Sequence, residues 1–130
     1  MKNLRLPVLV SALLVALAGC STVKLDSSGE TTAVYQLNEF RMVLNSTAPA
    51  AFAATQQAIR EYDLFETKSK LNTYDGELYA RSRKDDKVFV SIAEMNSKQT
   101  LLRIRWSTTG DKKNSKALYD LIEKNLRGGH

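Results

Sequence analysis

The chain has one cysteine, Cys20, and one histidine, His130. A single cysteine permits no intramolecular disulfide, and with Cys20 close to the N-terminus no thiol is left for chemistry in a folded body. The histidine is the last residue, after Gly128 and Gly129, so a histidine-based triad within a cleft is not expected. No Cys or His cluster has zinc spacing, and no glycine-rich loop suits a phosphate. No apolar run reaches the about 20 residues that a membrane-spanning helix needs. Paired carboxylates are few: Asp85 and Asp86 lie between Lys84 and Lys87, where a solvated turn is the simpler reading, and Asp75 with Glu77 reads the same way. The expectation is a protein that is not an enzyme and holds no metal.

The N-terminus carries the strongest signal. Lys2 and Arg5 form a positive region, residues 8–18 form an uncharged, largely apolar core, and small residues close it, as in a secretory signal. Leu17, Ala18, Gly19 and Cys20 match the lipobox of bacterial lipoproteins. The match implies that a diacylglycerol is added to the Cys20 thiol, that the chain is cut before it, and that an N-acyl chain follows. These acyl chains are the only non-protein groups expected. Each buried methylene contributes roughly 0.8 kcal/mol, so two or three chains hold firmly where one holds reversibly. Ser21 follows the cysteine; in the sorting pattern that this region resembles, an Asp there favours inner-membrane retention. The default is therefore the outer membrane, facing the periplasm.

Removing residues 1–19 leaves 111 of 130 and lowers the net charge from +5 to +3, because Lys2 and Arg5 go with the leader. That length suits one domain of about 100 residues plus a tether. Residues 20–33 are rich in Ser and Thr without a sustained apolar period and read as a flexible tether reaching roughly 20 Å. Val23 and Leu25 offer an alternative start of a short strand. The domain then covers residues 34–130.

Within the domain, residues 34–44 alternate in part, with Phe40, Met42 and Leu44 on one face and Glu39, Arg41 and Val43 on the other, which predicts a strand. Ser46 or Thr47 caps a helix with Pro49 in its first turn, running to about Tyr62 with Phe52 and Ile59 as apolar anchors. From Leu64 the pattern predicts a strand meander. Residues 65–74 and 77–83 are joined at Asp75 and Gly76, a pair suited to a type I′ turn; two further strands cover residues 88–95 and 100–106. Asp111 caps a last helix with Leu118, Leu121, Ile122, Asn125 and Leu126 on its stripe. The order β-α-β-β-β-β-α predicts an α+β domain, an antiparallel sheet of about five strands with both helices on one face. Strand order does not follow from the sequence.

The lipobox, a helix ending near residues 60–63, the Asp75-Gly76 pair, the run of residues 101–105, and Gly110, Asp111 and Ser115 before a helix with Leu118 and Ile122 together resemble a family of small bacterial lipoproteins of unknown function. The resemblance implies a fold and brings no activity, substrate or site residue. The element order is also similar to the helix-grip domains of an envelope-assembly lipoprotein, a likeness of architecture alone.

One surface feature stands out. If Leu78, Ala80, Leu102 and Ile104 point inward, Tyr79, Arg81 and Arg83 point outward on one strand, and Arg103 and Arg105 on another. Long charged side chains also keep an exposed sheet face soluble, so the arginines are open to two readings. The functional one is a docking surface for an acidic envelope protein or anionic envelope component, to which the planar guanidinium is suited. The alternative role is a carrier or sensor of a small anionic or lipidic ligand. A nucleic-acid partner does not fit an envelope location.

Overall fold

The computed structural model describes Ser21–Lys24 and residues 32–128, with side chains from Ala33 onward. Cys20 and residues 1–19 lie outside the described residues. Seven strands and two helices follow in the order β1 (Ser21–Lys24), β2 (Thr32–Gln36), β3 (Glu39–Leu44), α1 (Ala48–Glu61), β4 (Phe65–Leu71), β5 (Asp75–Arg81), β6 (Lys87–Asn96), β7 (Gln99–Trp106) and α2 (Lys112–Gly128). The strands form a single sheet ordered β1-β2-β3-β7-β6-β5-β4, with every neighbouring pair antiparallel. The α+β class and the helices packed on one face are as expected. The sheet has more strands than the expected five.

The surplus has two causes. Residues 34–44 are not one strand but a hairpin: Leu37 and Asn38 take φ of 55° and 63° between β2 and β3, as a two-residue turn of the I′ kind requires. Alternation concealed it, because Asn38 was the only turn-forming residue there and Leu37 is not one. The other addition is β1, within the stretch read as a tether, where Ser21 pairs with Tyr35 and Lys24 with Thr32. β2 also begins inside that stretch.

The β4–β5 hairpin is present, but its turn is displaced. Asp75 and Gly76 belong to β5, and the chain reverses just before them, where the Asn72 N–H donates to the Asp75 carbonyl and Asn72 Nδ2 donates to Asp75 Oδ1. Gly76 is needed for packing rather than for turning: a Cβ there would lie 2.9 Å from Phe52 Cδ2, which is closer than side chains tolerate. Glycine at this point lets α1 settle on the sheet.

The helix α1 carries the chain from β3, inside the sheet, to β4 at its far edge. Its N-terminus is held twice, by the Thr47 hydroxyl accepting from the Ala50 N–H and by the Glu94 carboxylate of β6 accepting from the Ala48 N–H at 2.8 Å. At the other end Asp63 N–H donates to Arg60 and Leu64 N–H to Ile59, with Asp63 at φ 63°. This is a Schellman closure, which usually places glycine where Asp63 stands. Helix α2 starts from Asp111, whose Oδ1 accepts from the Asn114 N–H at 2.9 Å. Asn125 then ties the two helices by donating to the Ala54 carbonyl and to Glu61.

The core lies between helices and sheet. Phe40, Leu78, Val90, Leu102 and Ile104 from the sheet and Ala58, Leu118 and Ile122 from the helices are fully buried. Tyr119 closes the α2 side, 5.4 Å from Phe40 between ring centroids; next to Asp120 and outside the stripe of Leu118, Leu121, Ile122, Asn125 and Leu126, it is not marked as core by the sequence. Phe52 is 7% exposed, so Phe52→Ala is expected to cost about 3–5 kcal/mol; urea unfolding with an unchanged midpoint would refute its role as an anchor.

Burial pushes the Tyr119 hydroxyl up to about 12, and the neighbouring Glu123 and Asp120 carboxylates act in the same direction. Below about pH 10, the ordinary tyrosine value, both folded and unfolded states keep the proton. Between about 10 and about 12 the unfolded chain ionises first, so stability is lost as pH rises through that window. Tyr119→Phe should remove this component. The stability difference between the parent and this variant is therefore expected to change across that interval and to stay flat below it, as read by urea titrations at each pH.

Candidate functional site

The helix-free face of the sheet is built by strand alternation. Leu78, Ala80, Leu102 and Ile104 are buried beneath the helices, which turns Tyr79, Arg81, Arg103 and Arg105 to the opposite side. Arg83 does not join them. β5 ends at Arg81, and Arg83 sits in the following turn, where its Nε donates to Asp63 Oδ2 at 2.5 Å. That guanidinium holds the Asp63 carboxyl below the ordinary carboxylate range.

The strand order supplies what alternation could not. β3 lies beside β7, and Arg41 stands directly opposite Arg103; on its other side Arg103 is opposite Ser91. One step along, Arg105 is opposite Phe89, and Phe89 is opposite Tyr79, which is opposite Lys68. Four neighbouring strands thus place cations at both ends of a pair of adjoining rings. The Tyr79 and Phe89 centroids are 4.8 Å apart, and Lys68 Nζ is 5.4 Å from the Tyr79 centroid. Arg41, Lys68 and Phe89 were not singled out in the sequence, because their neighbours across the sheet depend on strand order.

The charges on this face differ in how far they are neutralised. Arg81 Nη1 donates to Asp85 Oδ1 at 2.5 Å. Glu39 is only 6% exposed although it lies on the solvent side; Arg41 Nε donates to its Oε1 at 2.9 Å, and Arg105 Nη2 is 3.7 Å from Oε2. A buried carboxylate between two guanidinium groups limits its own desolvation penalty and fixes both cations in place. Arg103 forms no ion pair among the described residues. It is exposed, and its nearest charged cross-strand neighbour is another arginine.

A concavity of about 300 Å³ lies near Tyr62, Arg83, Trp106, Asp111 and Asn114. Trp106 is 3% exposed, meets Tyr62 edge-on at 5.7 Å, and its Nε1 has no hydrogen-bond partner among the described residues. Tyr62 donates to Asn114 Oδ1 at 2.5 Å. Asp85 and Asp86, weighed as an acid–base pair, lie in the β5–β6 turn: the Ser82 hydroxyl accepts from the Asp86 N–H, and Asp85 has φ 69°. Asp75 is in the displaced β4–β5 turn, and Glu77 points to the helix-free face opposite Ser91. Among the described residues no three His, Cys, Asp or Glu side chains converge as a metal site would need, and no helix is long and apolar enough to cross a membrane.

A family model described as a protein of unknown function, DUF3568, matches residues 3–125, and the chain belongs to this family. No curated protein matches the chain.

Like charges directly opposite each other on paired strands destabilise a sheet by ~0.2–1 kcal/mol. Arg103→Thr, which keeps a strand-forming residue, is therefore expected to raise the urea midpoint slightly. A clear fall in that midpoint would show that Arg103 supports the fold and is not held against repulsion.

Proposed function

We propose that this protein is a lipid-anchored lipoprotein of the bacterial cell envelope, facing the periplasm from the outer membrane and acting as a non-enzymatic interaction domain. Its helix-free sheet face receives an acidic protein or another anionic envelope component. The observation that carries the docking half is the opposed pair Arg41 and Arg103. Arg41 is already paired with Glu39, whereas Arg103 stands opposite it with no carboxylate of its own among the described residues, so an anionic group brought to Arg103 gains forked hydrogen bonds that the domain does not supply. The anchoring half is supported by the lipobox, Leu17 to Cys20, behind a positive and then apolar leader.

The face is also preorganised. Glu39 holds Arg41 and Arg105, so less side-chain freedom is lost when a partner binds. The paired rings of Tyr79 and Phe89 provide apolar area beside the cations, a combination suited to an acidic peptide as much as to a headgroup.

Anchoring is tested at its only chemically committed residue. Cys20→Ala should abolish incorporation of labelled palmitate and move the protein from the membrane to the soluble fraction, while circular dichroism of the purified domain stays that of the parent. Retained label and membrane fractionation would overturn the anchor. Crosslinking in intact cells, with Arg103→Ser and Arg105→Ser as the comparison, tests docking; recovery of the same neighbours from parent and variant would exclude this face.

A further inference from the structure

The end of the sheet where β1 begins carries features that the arginine face does not explain. β1 starts at Ser21, the residue after Cys20. Successive Cα atoms are about 3.8 Å apart, so a group borne by Cys20 is tied closely to this edge of the sheet. Ser21 pairs with Tyr35, two residues before the β2–β3 turn, and Leu37 sits at the tip of that turn.

Leu37 is 72% exposed, more than any other large apolar side chain among the described residues. It also holds φ 55°, a region that sterics close to most side chains and leave to Gly, Asn and Asp. The residue is therefore unfavourable twice over in water, in backbone conformation and in exposed apolar surface. Asn38 beside it packs against Gly110: a Cβ on Gly110 would lie 3.0 Å from the Asn38 Cα and collide with the Tyr35 hydroxyl, and Gly110 itself has φ 83°. This contact brings the start of α2 to the hairpin tip, where Lys112 Nζ stands 5.6 Å from the Tyr35 ring centroid.

Lys112 and Lys113 are exposed and form no ion pair among the described residues. They open a helix whose first turn has no acidic residue and whose N-cap carboxylate, Asp111, is occupied with Asn114, so two positive charges lie at the positive end of the helix dipole. An exposed apolar residue and two exposed cations without ion pairs thus share the end from which the N-terminal chain departs. A surface that is anionic outside and apolar beneath suits all three.

We propose that this end of the domain docks on the bilayer holding the Cys20 anchor, with Leu37 entering the headgroup–acyl boundary and Lys112 and Lys113 meeting anionic headgroups. The proposal rests on the lipid-anchor reading. The occupant is a membrane rather than an acidic protein because the segment preceding Ser21 places lipid at this edge. Docking stands the strands away from the membrane and leaves the arginine face open sideways.

The test uses the full-length lipidated protein in vesicles of phosphatidylethanolamine and phosphatidylglycerol. With Cys20 acylated, Leu37→Cys provides a single free thiol for an environment-sensitive fluorophore, and Tyr74→Cys, at the opposite end of the sheet, provides the comparison. Label at residue 37 should shift to the blue and be quenched several-fold more by nitroxide-bearing lipids than label at residue 74. Equal quenching on protein that co-sediments with vesicles overturns docking and leaves the anchor standing, whereas failure to co-sediment overturns both. Shielding of residue 37 that depends on protein concentration without vesicles assigns this end to a second copy and overturns the proposal.

A second variant separates fold from docking. Leu37→Asn suits the backbone conformation and should raise the melting temperature of the protein in detergent. Vesicles should slow amide exchange at residues 35–39 in the parent and not in this variant. A lowered melting temperature would show that Leu37 serves the domain itself, and equal slowing would show that Leu37 makes no membrane contact; either overturns the proposal.

Discussion

The pairing of β3 with β7 is the contact on which the remaining architecture depends. It joins two parts of the chain separated by α1 and the strands β4–β6, setting Phe40 against Ile104 and Met42 against Leu102 on the core side. Without it β1, β2 and β3 would be a short ribbon cut off from the rest of the sheet, and α2 would have no second strand to rest on. The same register aligns Arg41 with Arg103 and Glu39 with Arg105 on the outer side. A single interstrand register therefore determines both the core and the charged face, since shifting it by one residue would exchange the two.

Much of the scaffold was legible in local pattern. The limits of α1 followed from Thr47, Pro49 and a stripe holding Phe52 and Ile59, and those of α2 from Asp111 and Leu118. Strand alternation correctly directed Tyr79, Arg103 and Arg105 outward. The failures arose where local preference was overridden or shared. Asp75-Gly76 has the chemistry of a turn, yet Gly76 was required beneath Phe52, a contact created by α1 crossing the sheet. Leu37 has none of the chemistry of a turn and still occupies one. The opposition of Arg41 and Arg103 was invisible because nothing in either strand names its neighbour.

The outer face uses charge unevenly. Asp85 and Asp63 draw off Arg81 and Arg83 in exposed pairs, which contribute little stability in water. Glu39 does more by being buried: it orders two guanidinium groups that would otherwise sample many rotamers. Arg103, between Arg41 and Ser91 across the sheet, is left with unmet capacity for forked hydrogen bonding. A guanidinium left without a carboxylate on an otherwise ordered face is available to a partner and contributes little to the unbound domain.

The short β1 strand also bears on how the protein meets mechanical force. Four residues pair it to β2, and it is attached to the sheet on one side only. Under the lipid-anchored reading, a load drawing the envelope layers apart would enter the domain through this strand. Its few hydrogen bonds form the weakest step on that path. Once they part, the 11 residues preceding β2 (Ser21 through residue 31) can extend to about 40 Å while the β2–β7 sheet and its helices keep their packing. The edge strand would then act as a mechanical fuse, holding the domain close at rest and paying out slack before the fold is strained.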